Sequence, residues 1–207
     1  MKKIIGMLLA IAVGLATPCV YAKIQGNVEV GKTKAAACAA CHGVDGNSVN
    51  PIWPSIAGQH PLYSYRQLTE FKKGATGKRA NPVMEPFIAQ LTDQDFKDLS
   101  VFFATQTRTV GSANKTDLQV GMQLYRGGDL ANHVSACIAC HGPQGLGNPD
   151  AGFPKLTGQH AEYVIKTMKD YRSGARSNSP NQIMEKITQR MTDKEIEAVA
   201  NYIQGLH

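Results

Sequence analysis

The chain has 207 residues, which is enough for one large domain or two small ones. Hydrophobic residues make up 43% of the chain and charged residues 18%, which excludes a disordered protein and indicates a globular one. The formal net charge is +6, but no dense Lys/Arg run with interleaved aromatic residues occurs, so nucleic acid is not an expected partner.

The first 22 residues have the pattern of a secretory signal peptide. Lys2 and Lys3 form a basic segment, and residues 4–16 form an apolar run of 13 residues that is too short to span a bilayer. We predict cleavage after Ala22, which also removes Cys19. The proline directly before Cys19 disfavours lipoprotein processing. Export of this kind predicts an oxidising compartment, the periplasm.

Two nearly identical motifs contain all the cysteines that remain after this cleavage: CAACHG at residues 38–43 and CIACHG at residues 137–142. Positions i, i+3 and i+4 share one face of a helix, so the two cysteines and the histidine of each motif are expected to point at one object. These residues are Cys38, Cys41 and His42 in the first motif, and Cys137, Cys140 and His141 in the second.

Three kinds of site could use this pattern. A zinc site needs four ligands, so both motifs would have to share one metal ion. A redox-active CxxC of the thioredoxin kind needs a βαβ context and no following histidine. Attachment of haem c uses the whole pattern, because both thiols form thioethers with the haem and the histidine ligates its iron. The duplicated motif in an exported chain favours the third interpretation, and we predict two covalently bound haem c groups.

The chain is an internal duplication. From Pro54 onward, adding 100 to each residue number aligns the chain with itself without gaps, and 12 of the 51 residues in 54–104 are identical in 154–204. The duplicated unit has the size of a small domain, and a polar segment without apolar periodicity separates the two copies. The predicted segments are a cleaved signal peptide (1–22), an N-terminal domain (23–106), a linker (107–115) and a C-terminal domain (116–207).

Helical signals dominate both domains. Pro61 suits the first turn of a helix, and Ala161 begins the counterpart of that helix. Thr92 and Thr192 begin capping-box-like sequences that are followed by apolar residues at helical spacing. We also expect Asp117 to cap a helix. The predicted fold class is therefore all-α: two tandem domains, each of a few short helices with long loops wrapped around a haem that supplies apolar bulk.

A sixth ligand to each iron has two pairs of candidates. Met84 and Met184 are the methionines that occur at matching positions in both copies, and they follow His42 and His141 by 42 and 43 residues. A methionine thioether opposite histidine raises the reduction potential. His60 and His160 are also paired, and ligation by them would lower it.

Pro54 and Pro154 also match, within the sequences PSIAG and PKLTG. One interpretation is that each proline carbonyl accepts a hydrogen bond from Nδ1–H of the motif histidine and so fixes its ring. The other interpretation is a rigid turn without a role in the site.

Each half resembles a class I cytochrome c, with a CxxCH motif, a Pro-x-(Ile/Leu)-x-Gly element, a methionine in a loop and a C-terminal helix. The tandem of AGQH with TGQH, and of NPVMEPFIAQLTDQDF with NQIMEKITQRMTDKEI, resembles the dihaem cytochrome c4 family over nearly the whole mature chain. The resemblance implies two axial ligand pairs, His42 with Met84 and His141 with Met184, and it favours the hydrogen-bonding interpretation of the two prolines. Asn81-Pro82 precedes the first methionine but Asn181-Gln182 precedes the second, so unequal sites are expected.

The resemblance also implies a function. Members of the family carry electrons in the periplasm towards a terminal oxidase of the membrane, often in loose association with the membrane. The expected partners are that oxidase, a quinol–cytochrome c oxidoreductase and other periplasmic donors. One alternative is a dihaem subunit of a periplasmic oxidoreductase such as a flavocytochrome c sulfide dehydrogenase. Another is a dihaem peroxidase, which would need an open coordination position, whereas two six-coordinate irons favour an electron carrier over an enzyme.

Overall fold

Ten α-helices follow one another along residues 23–207, which are the residues that the computed structural model describes. They are α1 (Val28–Lys34), α2 (Ala39–His42), α3 (Pro61–Lys72), α4 (Glu85–Ile88), α5 (Asp93–Ala104), α6 (Leu118–Gly127), α7 (Ile138–His141), α8 (Ala161–Ser173), α9 (Ile183–Thr188) and α10 (Asp193–Gln204). Short 3₁₀ helices cover Ala35–Cys38, Gly74–Thr76 and Pro180–Gln182. Within this range, extended residues pair only as two isolated bridges. The all-α class is thus confirmed, and the predicted signal peptide (1–22) lies outside the described residues.

The longer helices begin where the sequence predicts. Pro61 is the first residue of α3 and Ala161 the first residue of α8. Thr92 and Thr192 form complete capping boxes, in which each hydroxyl accepts a hydrogen bond from the backbone amide three residues later. Asp117 does precede α6, but its backbone is left-handed (φ 53°) and its side chain makes no capping hydrogen bond. The expectation that Asp117 caps this helix is therefore wrong.

Helices α1 and α6 pack across the last helix of their own copy, α5 and α10 respectively. Helix α1 was not predicted from the sequence. Its N-terminus is held by Asn27, whose side-chain oxygen accepts hydrogen bonds from the backbone amides of Glu29 and Val30. Glycines make both crossings close: a Cβ atom at Gly31 would lie 2.1 Å from the Asp98 carbonyl oxygen, and one at Gly121 would lie 2.1 Å from that of Ala198.

The apolar faces of α5 and α10 form the cores of the two copies. The predicted apolar residues of both helices are buried, with Phe96 at 2% exposed and Ile196 at 0%. The second copy has one continuous cluster, whereas the buried residues of the first copy divide into two smaller clusters. No helix within residues 23–207 combines the length and the apolarity that crossing a membrane requires.

The two copies meet through a reciprocal pair of glutamines. Gln59 donates from Nε2 to the carbonyl of Lys155 (3.0 Å) and accepts at Oε1 from the amide of Lys155 (2.9 Å). Gln159 does the same with Ser55, at 2.8 Å and 3.0 Å. Because each of these residues is separated from its counterpart by 100 positions, the contact has an approximate two-fold axis.

The segment predicted as the linker is packed against both copies through Arg108. This side chain is only 7% exposed, and it donates from Nε to the carbonyl of Ala57 (2.8 Å) and from Nη1 to that of Thr157 (3.4 Å). The Asn47 side chain bonds the backbone on either side of Arg108. The segment is therefore held in place along this stretch.

We expect Gly31→Ala and Gly121→Ala each to lower the free energy of unfolding by about 1–3 kcal/mol, because the added methyl group overpacks a helix crossing. Chemical denaturation of the purified protein measures the change. Gly127→Ala is the matched control, because the added Cβ would meet no atom within 4 Å apart from its chain neighbours and its own helix backbone. This control should be neutral or stabilising by up to about 1 kcal/mol. Equal effects at all three glycines would contradict the close crossings.

Candidate functional site

Each CxxCH motif forms a short helical segment that faces a shared cavity. The first motif lies where the 3₁₀ helix Ala35–Cys38 continues into α2, and the second motif lies on α7. A glycine with positive φ follows each histidine and ends the helix. The cavity has a volume of about 920 Å³, and both motifs line it. The four cysteines and two histidines predicted from the sequence are thus gathered around one space.

None of the four cysteines of residues 23–207 forms a disulfide bond. Burial, and then the neighbouring Cys41, raises the pKa of Cys38, and burial raises the pKa of Cys137 to about 11. Within this part of the chain, no group of three or more His, Cys, Asp or Glu side chains is placed to hold a metal ion by itself. The cysteines are therefore not paired with one another, and the two motifs do not combine into one four-ligand cluster.

The motif histidines are oriented by proline carbonyls. The Nδ1 atom of His42 lies 2.8 Å from the Pro54 oxygen, and that of His141 lies 2.9 Å from the Pro154 oxygen. A carbonyl can only accept, so Nδ1–H is the donor. Burial lowers the pKa of both imidazoles, although the proline hydrogen bonds partly oppose this. Each ring is thus neutral with its lone pair on Nε2, the form that ligates a metal.

Met84 and Met184 both line the cavity, at the start of α4 and within α9. Met191, by contrast, is 4% exposed in the core of the second copy, and Met122 packs against that core. Met168 also touches the cavity, and the apolar Leu68 is its counterpart in the first copy.

The loops before the two cavity methionines differ. In the first copy, the Asn81 side chain accepts from the amides of Val83 and Met84, at 3.0 Å and 3.3 Å. In the second copy, Asn181 and Gln182 are both left-handed, with φ of 52° and 58°. This conformation is costly for residues other than glycine. The loops that position Met84 and Met184 therefore differ in backbone conformation.

His60 and His160, the alternative iron ligands, lie at the contact between the copies. The Nε2 atom of His60 lies 2.7 Å from the Leu146 carbonyl oxygen, and that of His160 lies 2.8 Å from the Ser48 carbonyl oxygen. Each histidine therefore uses its outer ring nitrogen to bond the backbone of the other copy, which gives it a role at the interface.

Two arginines reach the cavity without having been singled out in the sequence. Arg79 donates to the hydroxyl of Tyr163 (2.7 Å), and Arg176 donates to that of Tyr63 (3.0 Å). Neither arginine pairs with a carboxylate within the described residues. Burial alone would raise the pKa of Tyr163, but the two guanidinium charges outweigh it and lower this pKa to about 8. A buried surplus of positive charge fits a ligand that carries carboxylates.

The arginines occupy positions that are not equivalent in the duplication, so the sequence alignment of the two halves contains no signal for them. The contacts of Gln59 and Gln159 could not be predicted from the sequence either, although these two residues match in the alignment.

This arrangement fits haem c. Each copy offers two thiols for covalent attachment, a neutral imidazole and a thioether at one largely apolar cavity, and the arginines supply charge for the haem carboxylates. A small helical domain with this set of residues defines a c-type cytochrome, and the chain contains the domain twice.

Comparisons with known proteins agree with this class. The family model described as Cytochrome c matches residues 28–107 and again residues 124–207. Cytochrome c4 of Azotobacter vinelandii is 40% identical over 215 residues, which cover 100% of this chain and 99% of that protein. The crystal structure of reduced recombinant cytochrome c4 from Pseudomonas stutzeri matches with a TM-score of 0.86 and 42% identity, over 88% of this chain and 100% of that one. A thiosulfate dehydrogenase electron acceptor of Stutzerimonas stutzeri is 37% identical over 177 residues, 83% of this chain and 80% of that protein.

The chain belongs to the cytochrome c4 family. It is a dihaem cytochrome that binds two haem c groups covalently, and it transfers electrons and is not an enzyme.

We expect His60→Ala and His160→Ala to leave the visible and near-infrared spectra of both haems unchanged, because these side chains bond backbone carbonyls of the other copy. Each change should lower the free energy of unfolding by about 1 kcal/mol through the lost hydrogen bond. His207→Ala, at the exposed end of the chain, provides the baseline. Loss of a sixth iron ligand in either interface variant would contradict this assignment.

Proposed function

We propose that this chain is a periplasmic carrier of electrons in a respiratory chain. It accepts electrons from a quinol–cytochrome c oxidoreductase or other periplasmic donors and passes them towards a terminal oxidase of the membrane. Loose association with the membrane surface would keep it near both partners. The signal-like pattern of residues 1–22 supports the compartment. The observation that carries the proposal is that both histidine–methionine pairs line the same cavity, which brings two redox sites together in one chain.

The proposed assignments follow from the residues that line the cavity. Cys38 and Cys41 would form the thioethers of the first haem, and Cys137 and Cys140 those of the second. His42 with Met84 would hold the first iron, and His141 with Met184 would hold the second. Pro54 and Pro154 accept the Nδ1 protons of the two histidines. The proposed domain boundaries are those of the sequence analysis, 23–106 and 116–207, joined by residues 107–115.

Each of these residues would bind, orient or tune a haem. When bound, each haem supplies one iron that takes up and releases a single electron. The cysteines anchor the group, and the proline carbonyls prevent rotation of the histidine rings. The methionine thioethers favour the reduced iron and raise the reduction potential. If a histidine and a methionine hold each iron, no coordination position would be left for a substrate, which suits a carrier.

Reconstitution tests the respiratory role. Oxidase-containing membranes of the source bacterium, stripped of soluble cytochromes, should consume oxygen when the reduced holoprotein is added. The rate should saturate with the concentration of the added protein. Re-reduction of the oxidised holoprotein by quinol and the purified oxidoreductase tests the donor side. Failure of both reactions, with the haems intact, would overturn the respiratory assignment.

A second candidate function is that of the cytochrome partner of a periplasmic sulfur-oxidising enzyme, such as a flavocytochrome c sulfide dehydrogenase. The similarity to a thiosulfate dehydrogenase electron acceptor favours it. A flavoprotein or thiosulfate dehydrogenase that co-purifies with the chain and reduces it rapidly would support this alternative over the oxidase pathway.

We expect Met84→Leu and Met184→Leu each to lower the reduction potential of one haem and to abolish its methionine–iron charge-transfer band. Leucine has nearly the volume of methionine, so the fold should lose less than about 1.5 kcal/mol. Spectropotentiometry of the oxidised and reduced holoprotein measures both effects.

Met191→Leu is the matched control for these variants, because this methionine lies in the core and not at the cavity. It should keep both bands and both potentials. Bands that survive in Met84→Leu and Met184→Leu would exclude methionine as the sixth ligand.

A further inference from the structure

The peptide group between Pro154 and Lys155 makes hydrogen bonds to both domains. Its carbonyl oxygen accepts from Nδ1–H of His141 at 2.9 Å, and its N–H donates to Oε1 of Gln59 at 2.9 Å. His141 belongs to the second copy and Gln59 to the first. A single peptide group thus connects the histidine of one site with a side chain of the other domain.

The first copy contains the same arrangement in reverse. The carbonyl between Pro54 and Ser55 accepts from Nδ1–H of His42 at 2.8 Å, and the N–H of this peptide donates to Oε1 of Gln159 at 3.0 Å. The two connections therefore cross: each glutamine bonds to the peptide group that orients the histidine of the opposite domain.

Burial strengthens these connections. Gln59 and Gln159 are each 6% exposed, and the two histidines are each 7% exposed. In surroundings of low dielectric, successive hydrogen bonds polarise one another, because donation from a peptide N–H makes the carbonyl of that peptide a better acceptor. A better acceptor at Nδ1–H gives the imidazole more electron density, which stabilises the oxidised form of a metal that it ligates.

We propose that Gln59 lowers the reduction potential of the C-terminal haem and that Gln159 lowers that of the N-terminal haem, each through the peptide group that it bonds. Both glutamines are positioning residues, since they act through the proximal histidine. The inference rests on the proposed ligation of the irons by His42 and His141. It makes the potential of each haem depend on docking of the other domain.

Gln159→Met and Gln59→Met test the proposal, because methionine keeps the length of the side chain and removes the acceptor. A redox titration followed by NMR, with the haem methyl signals assigned to each domain, gives the two potentials separately. Gln159→Met should favour reduction of the N-terminal haem by about tenfold, a size taken from the smaller losses of metal affinity or activity that follow removal of an outer-shell partner. This factor corresponds to a rise of about 59 mV for a one-electron couple. Gln59→Met should raise the potential of the C-terminal haem instead.

Gln204→Met is the matched control. Gln204 also accepts from a backbone amide (Ala161, 3.0 Å) and donates to a backbone carbonyl (Ser112, 2.9 Å), but these peptides do not bond a motif histidine. It should move neither potential.

Equal shifts of both haems, a shift confined to the domain that carries the variant, or no shift at all would overturn the crossed tuning. A failure of the proposed iron ligation can be recognised independently. If His42 and His141 do not ligate the irons, the haems of the wild-type protein will lack the NMR signals of an iron-bound histidine. Normal signals with unmoved potentials would refute only the role of the glutamines.

Discussion

The peptide groups that follow Pro54 and Pro154 connect each motif histidine with the opposite domain. Each peptide orients a motif histidine through its carbonyl and contacts the opposite domain through its N–H. The boundary between the domains and the two sites therefore share the same backbone atoms. A movement of one domain relative to the other would disturb the orientation of both histidines, so the geometry of the sites depends on the integrity of the interface.

Local signals in the sequence were enough for much of the fold. The capping boxes at Thr92 and Thr192 are formed by neighbouring residues, and so they are visible in any short stretch of sequence. The methionines at the cavity could be singled out because the duplication separates Met84 and Met184 from methionines that only fill the core. Asp117 shows the limit of such reasoning, because a residue type favoured at helix starts turned out to have an unsuitable backbone conformation.

Contacts between distant residues were not predictable. Arg108 lies in a polar segment without periodicity, yet it is buried because it bonds the carbonyls of two loops that the fold brings together. Arg79 and Arg176 meet the tyrosines of the other domain, and their positions have no correspondence in the alignment of the two halves. Gln59 and Gln159 do correspond, but a matching glutamine indicates nothing until its partner across the interface is known.

The contact between the domains has the form of an isologous homodimer, since the same glutamine and histidine appear on both sides of an approximate two-fold axis. Because the two domains belong to one polypeptide, each sees the other at an effective concentration of about a millimolar, and dilution does not separate them. In a true homodimer, every substitution appears on both sides of the interface at once. A fused chain does not have this constraint. In the fused chain, residues 181 and 182 can change while residues 81 and 82 stay the same, so the two sites are free to diverge in their properties.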